Sequence, residues 1–226
     1  MNIQELRNKM CIPAHAGKDY ITKTFNEIAE VLIKKCVIKD KYEKYRIIDF
    51  EFYYYNSNHQ DISAHPRNSE ALCWYINDFG GIDLNFKSEI KKVVVPKGKT
   101  WSFKYELTDD AYFGGILIRQ IQRISDGKIF DGPLKVAELF RTFDATCRNQ
   151  NNPILVLEQL EETEFKICER YNLLGSHKGT EEEKVKAKVD YNLKTCFTED
   201  SYSKMQILEK ELTKFNKCKY RYIYSK

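Results

Sequence analysis

Apolar and polar positions follow one another along this chain in two periods, one typical of helices and one typical of strands. Residues 20–35 place apolar side chains three and four positions apart, which predicts an amphipathic helix. Residues 36–38 predict a short strand, and residues 45–55 a long one with a period of two. The predicted core face of this long strand carries Ile48, Phe50, Phe52 and Tyr54. The opposite face, which is polar enough to line a site, carries Asp49, Glu51, Tyr53 and Tyr55.

The middle and the end of the chain predict further short elements. Apolar runs predict strands at 71–76, 82–86 and 114–119, and the last of these is buried with a polar far end. Residues 87–112 predict a hairpin, because three valines precede a Pro-Lys-Gly-Lys turn and alternating aromatic residues follow it. Helices are predicted at 134–140, directly after Pro133, and at 154–162. Near the end, residues 204–215 predict a helix and residues 220–224 a strand.

Composition indicates a globular chain with a sizeable core. The 226 residues are 42% hydrophobic and 31% charged, which excludes a disordered or collagen-like chain. No apolar run is long enough for a transmembrane helix, and the first ten residues lack the apolar stretch of a secretory signal. Without repeats or a linker, we expect one α+β domain over residues 1–226, intracellular and without a membrane partner.

Cysteine and histidine spacing argues against a metal centre. The seven cysteines and four histidines are scattered, with no C-x-x-C pair and no H-E-x-x-H motif. We expect reduced thiols, as is usual in the cytosol, and no cofactor. The net charge of +4 permits a nucleic-acid partner, but it falls short of the strong basic excess that would argue for one.

Several short segments follow one another in a distinctive order. Residues 47–53 (IIDFEFY) are similar to a strand of form I-V-E-T-E-A-Y, and residues 61–65 (DISAH) to D-x-A-x-H. The segments PRN (66–68), GILIR (115–119) and GPLKVA (132–137) are close to T-P-R-N, V-L-L-R-A and G-P-x-K-L-x. Together, over about residues 20–180, these segments resemble the alkyladenine (3-methyladenine) DNA glycosylase family.

The resemblance implies a fold and an activity. The fold would be a single α+β domain with a curved, mostly antiparallel sheet, flanking helices and a protruding β-hairpin. The hairpin at 87–112 would be an insertion, and a helix and strand over 197–226 would be additions to the family core. Members of the family are monofunctional hydrolases of base excision repair, which flip a damaged base out of the duplex and hydrolyse its N-glycosidic bond. The implied partner is double-stranded DNA with a modified base, bound by a monomer in the cytoplasm, nucleus or nucleoid.

The same resemblance implies catalytic and pocket roles for individual residues. Glu51 would activate the attacking water, and Arg119 would lie near Glu51 or a phosphate. The residues that would hold the flipped base are Tyr53, His65, Tyr75 and Asn85. The two tyrosines would stack on the base, the histidine would hydrogen-bond it, and the asparagine would form a wall of the pocket. The excised base could be an alkylated purine, hypoxanthine or another modified base.

The DNA contacts implied by the resemblance depend on the register of the hairpin over residues 75–85. If Tyr75 and Asn85 hold the family positions, the wedge, which is the side chain that fills the gap in the base stack, is Asp78. If Phe79 and the glycine after it match the family's Tyr-Gly, the pocket tyrosine shifts by one position. We favour Tyr75 in the pocket and Phe79 as the wedge, with a bulge between them. The residues expected to contact phosphates are Arg67, Lys97 and Arg119.

Two other functions fit the sequence. One is a non-catalytic protein that binds nucleic acid or a modified base on the same fold. The other is a metal-dependent nuclease built from Glu51, Asp83 and the Glu-Ile-Lys triplet at 89–91. Metal dependence distinguishes the nuclease, and turnover on damaged duplexes distinguishes an enzyme from a binding protein.

Overall fold

A computed structural model describes residues 2–40, 42–61, 63–76, 81–98, 100–140, 154–160, 164–170, 179–180, 183–184, 187, 195–201, 204, 214–215 and 218–225. The α-helices with described bounds are α1 (Ile3–Lys9), α2 (Lys18–Lys35) and α3 (Pro133–Leu139). The strands are β1 (Cys36–Lys39), β2 (Lys44–Asn56), β3 (His59–Gln60), β4 (Trp74–Ile76), β5 (Ile82–Asn85), β6 (Lys91–Lys97), β7 (Thr100–Glu106), β8 (Phe113–Arg123), β9 (Ile129–Asp131), β10 (Ile154–Leu157), β11 (Glu164–Cys168) and β12 (Arg221–Ser225). The chain is therefore an α+β protein, as its sequence predicts.

A curled antiparallel sheet organises the described part of the chain, with β2 at its centre. The strand order is β10-β1-β2-β8-β5-β4, and β9 pairs with β8. One edge of β2 pairs with β8 along nearly its whole length. The other edge is shared by β1 at its start and β12 at its middle. The long β2 strand therefore contacts elements from the beginning, the middle and the end of the sequence.

The main core lies between α2 and one face of the sheet. The helix buries residues at three- and four-residue spacing, namely Ile21, Phe25, Ile28 and Leu32. Phe25 stacks on Phe52 with ring centroids 4.3 Å apart, and Phe50 stacks on Tyr222 of β12 at 5.7 Å. Each fully buried aromatic side chain contributes a few kcal/mol, on the order of 2–3, to the free energy of unfolding. The predicted core face of β2 is confirmed at Phe50, Phe52 and Tyr54.

Two bulges alter the pairing of β2 with β8. Ile47 lies opposite Ile121 but Asp49 lies opposite Gln120, so Ile48 is an extra residue in β2. Asp49 lies opposite Gln120 but Phe50 lies opposite Ile118, so Arg119 is an extra residue in β8. Because a bulge re-aims the side chains around it, Ile47 belongs to the main core, where the alternation predicts Ile48. The second bulge sets the direction of the Arg119 side chain.

The hairpin of β6 and β7 forms a separate two-stranded sheet, as the sequence predicts. Its base is held in a second, smaller apolar cluster, in which Ile90 and Leu107 pack with Tyr55 and Phe113. Tyr55 and Phe113 lie opposite each other in β2 and β8 and stack with ring centroids 4.9 Å apart. The second cluster therefore lies on the face of the sheet that α2 does not cover.

The predicted helix at 154–162 is wrong, because residues 154–157 form β10, which pairs with β1. The run Ile-Leu-Val-Leu is too short for its period to separate helix from strand. Val37 and its neighbours in β1 offer it an open strand edge, and pairing to that edge decides its conformation. No helix among the described residues is long and apolar enough to cross a membrane.

Candidate functional site

The polar face of β2 continues as a row of side chains across neighbouring strands. Glu51 lies opposite Leu117 of β8, Leu117 opposite Asp83 of β5, and Asp83 opposite Tyr75 of β4. Residues opposite one another in antiparallel strands project from the same face. Glu51 and Tyr75 therefore share one face, about 14 Å apart at three strand spacings.

Glu51 is fully buried among polar side chains that contact both of its oxygens. The Tyr53 hydroxyl donates to Glu51 Oε2 at 2.8 Å, and Arg119 Nη1 donates to the same oxygen at 3.2 Å. Arg221 Nε of β12 lies 3.9 Å from the other oxygen, Oε1. Burial, together with the Glu51 carboxylate, raises the pKa of the Tyr53 phenol well above its usual value. The phenol is therefore a hydrogen-bond donor to the carboxylate at any physiological pH.

Asp49 extends this group to five residues: Asp49, Glu51, Tyr53, Arg119 and Arg221, hereafter the Glu51 cluster. Arg221 donates to both oxygens of Asp49, at 3.0 and 2.6 Å, and Arg119 Nε lies 4.0 Å from Asp49 Oδ2. The Asp49 carboxylate raises the pKa of Arg221. The two carboxylates are buried, whereas the side chains of Arg119 and Arg221 keep 15% and 18% of their surface exposed. The cluster thus reaches solvent through its guanidinium groups.

A second group of polar residues lies beside Tyr75. Arg67 Nη1 donates to Asp83 at 2.7 Å, and the guanidinium carbon of Arg67 lies 4.4 Å from the centre of the Tyr75 ring. Gly115 of β8 leaves the space that this guanidinium occupies, since a side-chain carbon there would clash with Arg67 Nη2. Arg67 is 3% exposed, so in this conformation its charge is directed to Asp83 and not to the surface. Its predicted contact with a phosphate stays a prediction.

The two remaining pocket residues are His65 and Asn85. The His65 ring centre is 6.1 Å from that of Tyr75, and His65 Nε2 is 3.7 Å from the Cys196 sulfur. Asn85 lies opposite Gly115, which lies opposite Tyr53, and Asn85 Nδ2 donates to Ser69 Oγ at 2.6 Å. The structure thus brings Glu51, Tyr53 and Arg119 into contact. It gathers His65, Arg67 and Tyr75 separately, and Asn85 lies between the two groups.

The predicted DNA contacts fall in different parts of the protein. Lys97 is exposed on β6, in the hairpin that roots in the second apolar cluster. Phe79 and Asp78, the alternative wedge positions, lie outside the described residues. The pairing that leads to them is regular, from Trp74 opposite Leu84 to Ile76 opposite Ile82. The expected bulge is therefore absent from the described part of this hairpin, residues 74–76 and 82–84.

Sequence reasoning missed Arg170 and Arg221. Arg170 is fully buried, bonds Asp61 at 2.6 Å, and places its guanidinium carbon 4.7 Å from the centre of the Tyr53 ring. Arg221 pairs with Asp49 from the final strand of the chain. Both arginines lie far from their partners in sequence, so no local motif includes them. The signal that could have found them is the excess of carboxylates at 49, 51 and 61, which burial obliges to find cations.

Two carboxylates of the nuclease hypothesis are paired with guanidinium groups: Asp83 bonds Arg67, and Glu51 contacts Arg119 and Arg221. The third, Glu89, accepts from the Tyr112 hydroxyl at 3.2 Å. Among the residues that the structure describes, no three His, Cys, Asp or Glu side chains are grouped so that they could hold a metal ion.

Comparison with known proteins finds a match to one viral protein. The chain is 33% identical over 129 residues to the uncharacterized protein L759 of Acanthamoeba polyphaga mimivirus. The match covers 54% of this chain and 59% of that protein, so the chain spans less than two thirds of its relative. No family model matches the chain, and no solved structure matches it.

Proposed function

We propose that the polar face of the sheet is the active site of a DNA glycosylase, related in fold to the alkyladenine DNA glycosylases. The observation that carries the proposal is the Tyr53–Glu51–Arg119 contact. The resemblance implies catalysis or base stacking for these three residues, and Glu51 accepts hydrogen bonds from the other two. The ordered motifs over residues 20–180 support the same proposal.

In the proposed reaction Glu51 is the general base. The carboxylate takes a proton from a water molecule, whose oxygen attacks the sugar carbon of the N-glycosidic bond. The bond electrons leave with the base, which then takes up a proton from solvent. Arg119 and Arg221 lie 3.2 and 3.9 Å from the two Glu51 oxygens, and the Tyr53 hydroxyl fixes the orientation of Oε2. Because Glu51 is fully buried in the free protein, DNA binding must open this face.

A second candidate, a non-catalytic binding protein, is favoured by the way the Glu51 cluster is satisfied. Two carboxylates face two guanidinium groups, an arrangement that also occurs where charges serve only to hold strands together. On this alternative the exposed parts of Arg119 and Arg221 would contact an anionic ligand without chemistry.

A base-release assay tests the proposal. Duplexes that each carry one modified base, including alkylated purines and hypoxanthine, are incubated with the full chain in EDTA, and the free base is quantified. We expect release from at least one duplex, and loss of release in Glu51→Gln with duplex affinity within about twofold of wild type, because volume is kept while the general base is lost. The matched control is Glu30→Gln on the far side of the sheet, which should release base normally.

Three outcomes would contradict the proposal. Tight binding without release from any duplex would favour the binding protein. Strand cleavage that requires added Mg²⁺ would favour the nuclease. Normal release by Glu51→Gln would remove Glu51 from the mechanism.

A further inference from the structure

The β6–β7 hairpin exposes aromatic side chains that no core requires. Trp101 is 72% exposed, Phe103 56% and Val94 54%. Val94 lies opposite Phe103, and Pro96 lies opposite Trp101, so these four side chains share one face of the ribbon. Exposing them forgoes the stabilisation that burial of large apolar groups provides, which makes this face a candidate binding surface.

The formal charge of the same hairpin is equal to the net charge of the whole protein. Residues 91–106 contain five lysines and one glutamate, a formal charge of +4, which equals the net charge of the whole chain. The rest of the chain is therefore formally neutral. Lys92 lies on the same face and places its ammonium nitrogen 3.9 Å from the centre of the Phe103 ring, so a cation and an aromatic ring meet on the exposed face. This combination is complementary to a ligand with both negative charge and flat aromatic groups.

We propose that the β6–β7 hairpin is a binding arm for single-stranded nucleic acid. Lysines would neutralise phosphates, and Trp101 and Phe103 would each stack on a base. The two rings lie two residues apart on one strand, about 7 Å along it. That spacing is twice the ~3.4 Å between successive nucleotides along one strand of a duplex. Two successive bases that each stack on one ring must therefore be unstacked from one another, as a single strand allows.

The tip of the hairpin argues against insertion into a membrane. Lys97, the last residue of β6, is exposed. A tip-first insertion would carry its ammonium group into hydrocarbon, ahead of the aromatic side chains, and charged groups are costly there. A nucleic-acid strand, in contrast, suits both parts of the hairpin, because its phosphates are attracted to the charged tip and its bases can stack on the aromatic face.

The root of the hairpin makes it a stable arm. A two-stranded ribbon is marginal in water by itself, but Ile90 and Leu107 anchor this one in the second apolar cluster. Tyr105 also forms a bridge to Phe197, which ties β7 to the later part of the chain. The cluster lies on the same face of the sheet as Glu51, so the arm emerges beside the Glu51 cluster. Binding by the arm does not require base excision by Glu51.

Tryptophan fluorescence tests the proposal directly, because the two tryptophans differ in exposure. Trp74 is 5% exposed, so stacking on a thymidine homo-oligonucleotide should quench only Trp101. We expect quenching in wild type and in Trp74→Phe. In Trp101→Phe the quenching should be lost while affinity is largely kept. The double variant Trp101→Ala/Phe103→Ala should bind a labelled oligonucleotide about 5- to 150-fold more weakly per stacked base removed.

A matched control lies outside the hairpin. The variant Tyr20→Ala/Tyr42→Ala also removes two exposed aromatic rings, one on α2 and one between β1 and β2, and it should bind like wild type. All of these side chains are exposed, so unchanged melting temperatures should show that the variants fold. Equal affinity for a blunt duplex and a single strand, or wild-type binding by the double variant, would overturn the proposal. So would binding to phosphatidylserine vesicles without binding to the oligonucleotide.

Oligonucleotide binding by the hairpin can be judged independently of the glycosylase proposal. The thymidine oligonucleotide carries no modified base, so its binding is measured apart from base release. Absence of base release therefore leaves the hairpin proposal intact, and a hairpin that does not bind leaves base release by Glu51 to be judged by its own assay.

Discussion

Arg170 and Asp61 form an ion pair of 2.6 Å in which neither side chain reaches solvent. Arg170 also donates to the carbonyl oxygens of Phe52, at 3.2 Å, and Phe215, at 2.9 Å. Burial opposes the charged form of Arg170, but the Asp61 carboxylate raises its pKa overall. The pair joins the loop after β3 to the segment after β11, directly beside the Tyr53 ring.

The first prediction is that Asp61→Asn lowers the free energy of unfolding by about 3–5 kcal/mol, because it leaves a buried guanidinium without its counter-charge. Urea denaturation measures the change. Asp126→Asn is the control, since its pair with Arg123 is at the surface and should contribute little. Equal, small effects of the two substitutions would show that Asp61 and Arg170 do not form a buried pair in solution.

The second prediction concerns His59, whose neutral form is fixed by two hydrogen bonds. Nδ1 lies 2.7 Å from the Tyr54 carbonyl oxygen, which can only accept, so Nδ1 carries the proton. Nε2 then accepts from the Tyr220 hydroxyl at 3.0 Å. Burial is the main cause that lowers the pKa of His59.

A lowered pKa in the folded state means that the unfolded chain binds a proton first on acidification. The contribution of His59 to stability is therefore complete above about pH 6.5 and declines as the pH falls from there toward the lowered pKa of the folded state. The decline should reach up to about 1.4 kcal/mol per pH unit. Urea unfolding of wild type and His59→Gln over a pH series should show a shallower decline in the variant. His15→Gln, at an exposed position, should keep the wild-type slope, and identical slopes for all three proteins would refute this prediction.

The third prediction compares two adjacent glycines of β8. A side-chain carbon at Gly114 would clash with the backbone carbonyl oxygen of Tyr53, which cannot move without disturbing the β2–β8 pairing. At Gly115 the clash is with the end of the Arg67 side chain. Gly114→Ala should therefore cost at or above the upper end of the roughly 1–3 kcal/mol typical of overpacking, and Gly115→Ala less.

Urea denaturation of the single variants and of Arg67→Ala/Gly115→Ala measures this difference. Once Arg67 is removed, the substitution at Gly115 should cost less than it does alone, since its main obstacle is gone. Additive effects at the two positions would place the Arg67 guanidinium elsewhere.

The fourth prediction concerns salt. If Lys97 contacts a phosphate of a duplex with a modified base, Lys97→Ala should reduce the slope of log affinity against log salt by about 0.9. Arg67→Gln should instead lower stability, because its charge is buried against Asp83. Fluorescence anisotropy between about 50 and 200 mM salt measures the slopes. A reduced slope for Arg67→Gln with unchanged stability would show that Arg67 faces the phosphates.

Several features of the fold could be predicted from local sequence. The three- and four-residue spacing from Ile21 to Leu32 identified α2, and the alternation from Phe50 to Tyr55 identified both faces of β2. The turn at Pro96–Gly98, with valines before it and aromatic residues after it, predicts the hairpin within residues 87–112. These signals are local, because they depend only on which side chains share a face of one element.

Other features depend on strands that meet across the fold. The run at 154–157 became a strand because β1 offered it an edge, and the bulges at Ile48 and Arg119 arose only when β2 paired with β8. Local alternation predicts Ile48 in the main core. Ile48 is buried, but the pairing places Ile47 in that core instead. An unpaired strand carries no information about a bulge that its partner imposes.

For the candidate site, the sequence by itself determined that Glu51 and Tyr53 share a polar face, because alternation along a strand leaves no other choice. Only the tertiary structure decided which charges meet there: Arg119 through its bulge, Arg221 from the last strand, and Arg170 over the Tyr53 ring. A buried carboxylate requires a cation, but the sequence does not say which one. Which arginine pairs with the carboxylate depends on strand register and on the order of the strands in the sheet, and both are set by the packing of the whole sheet.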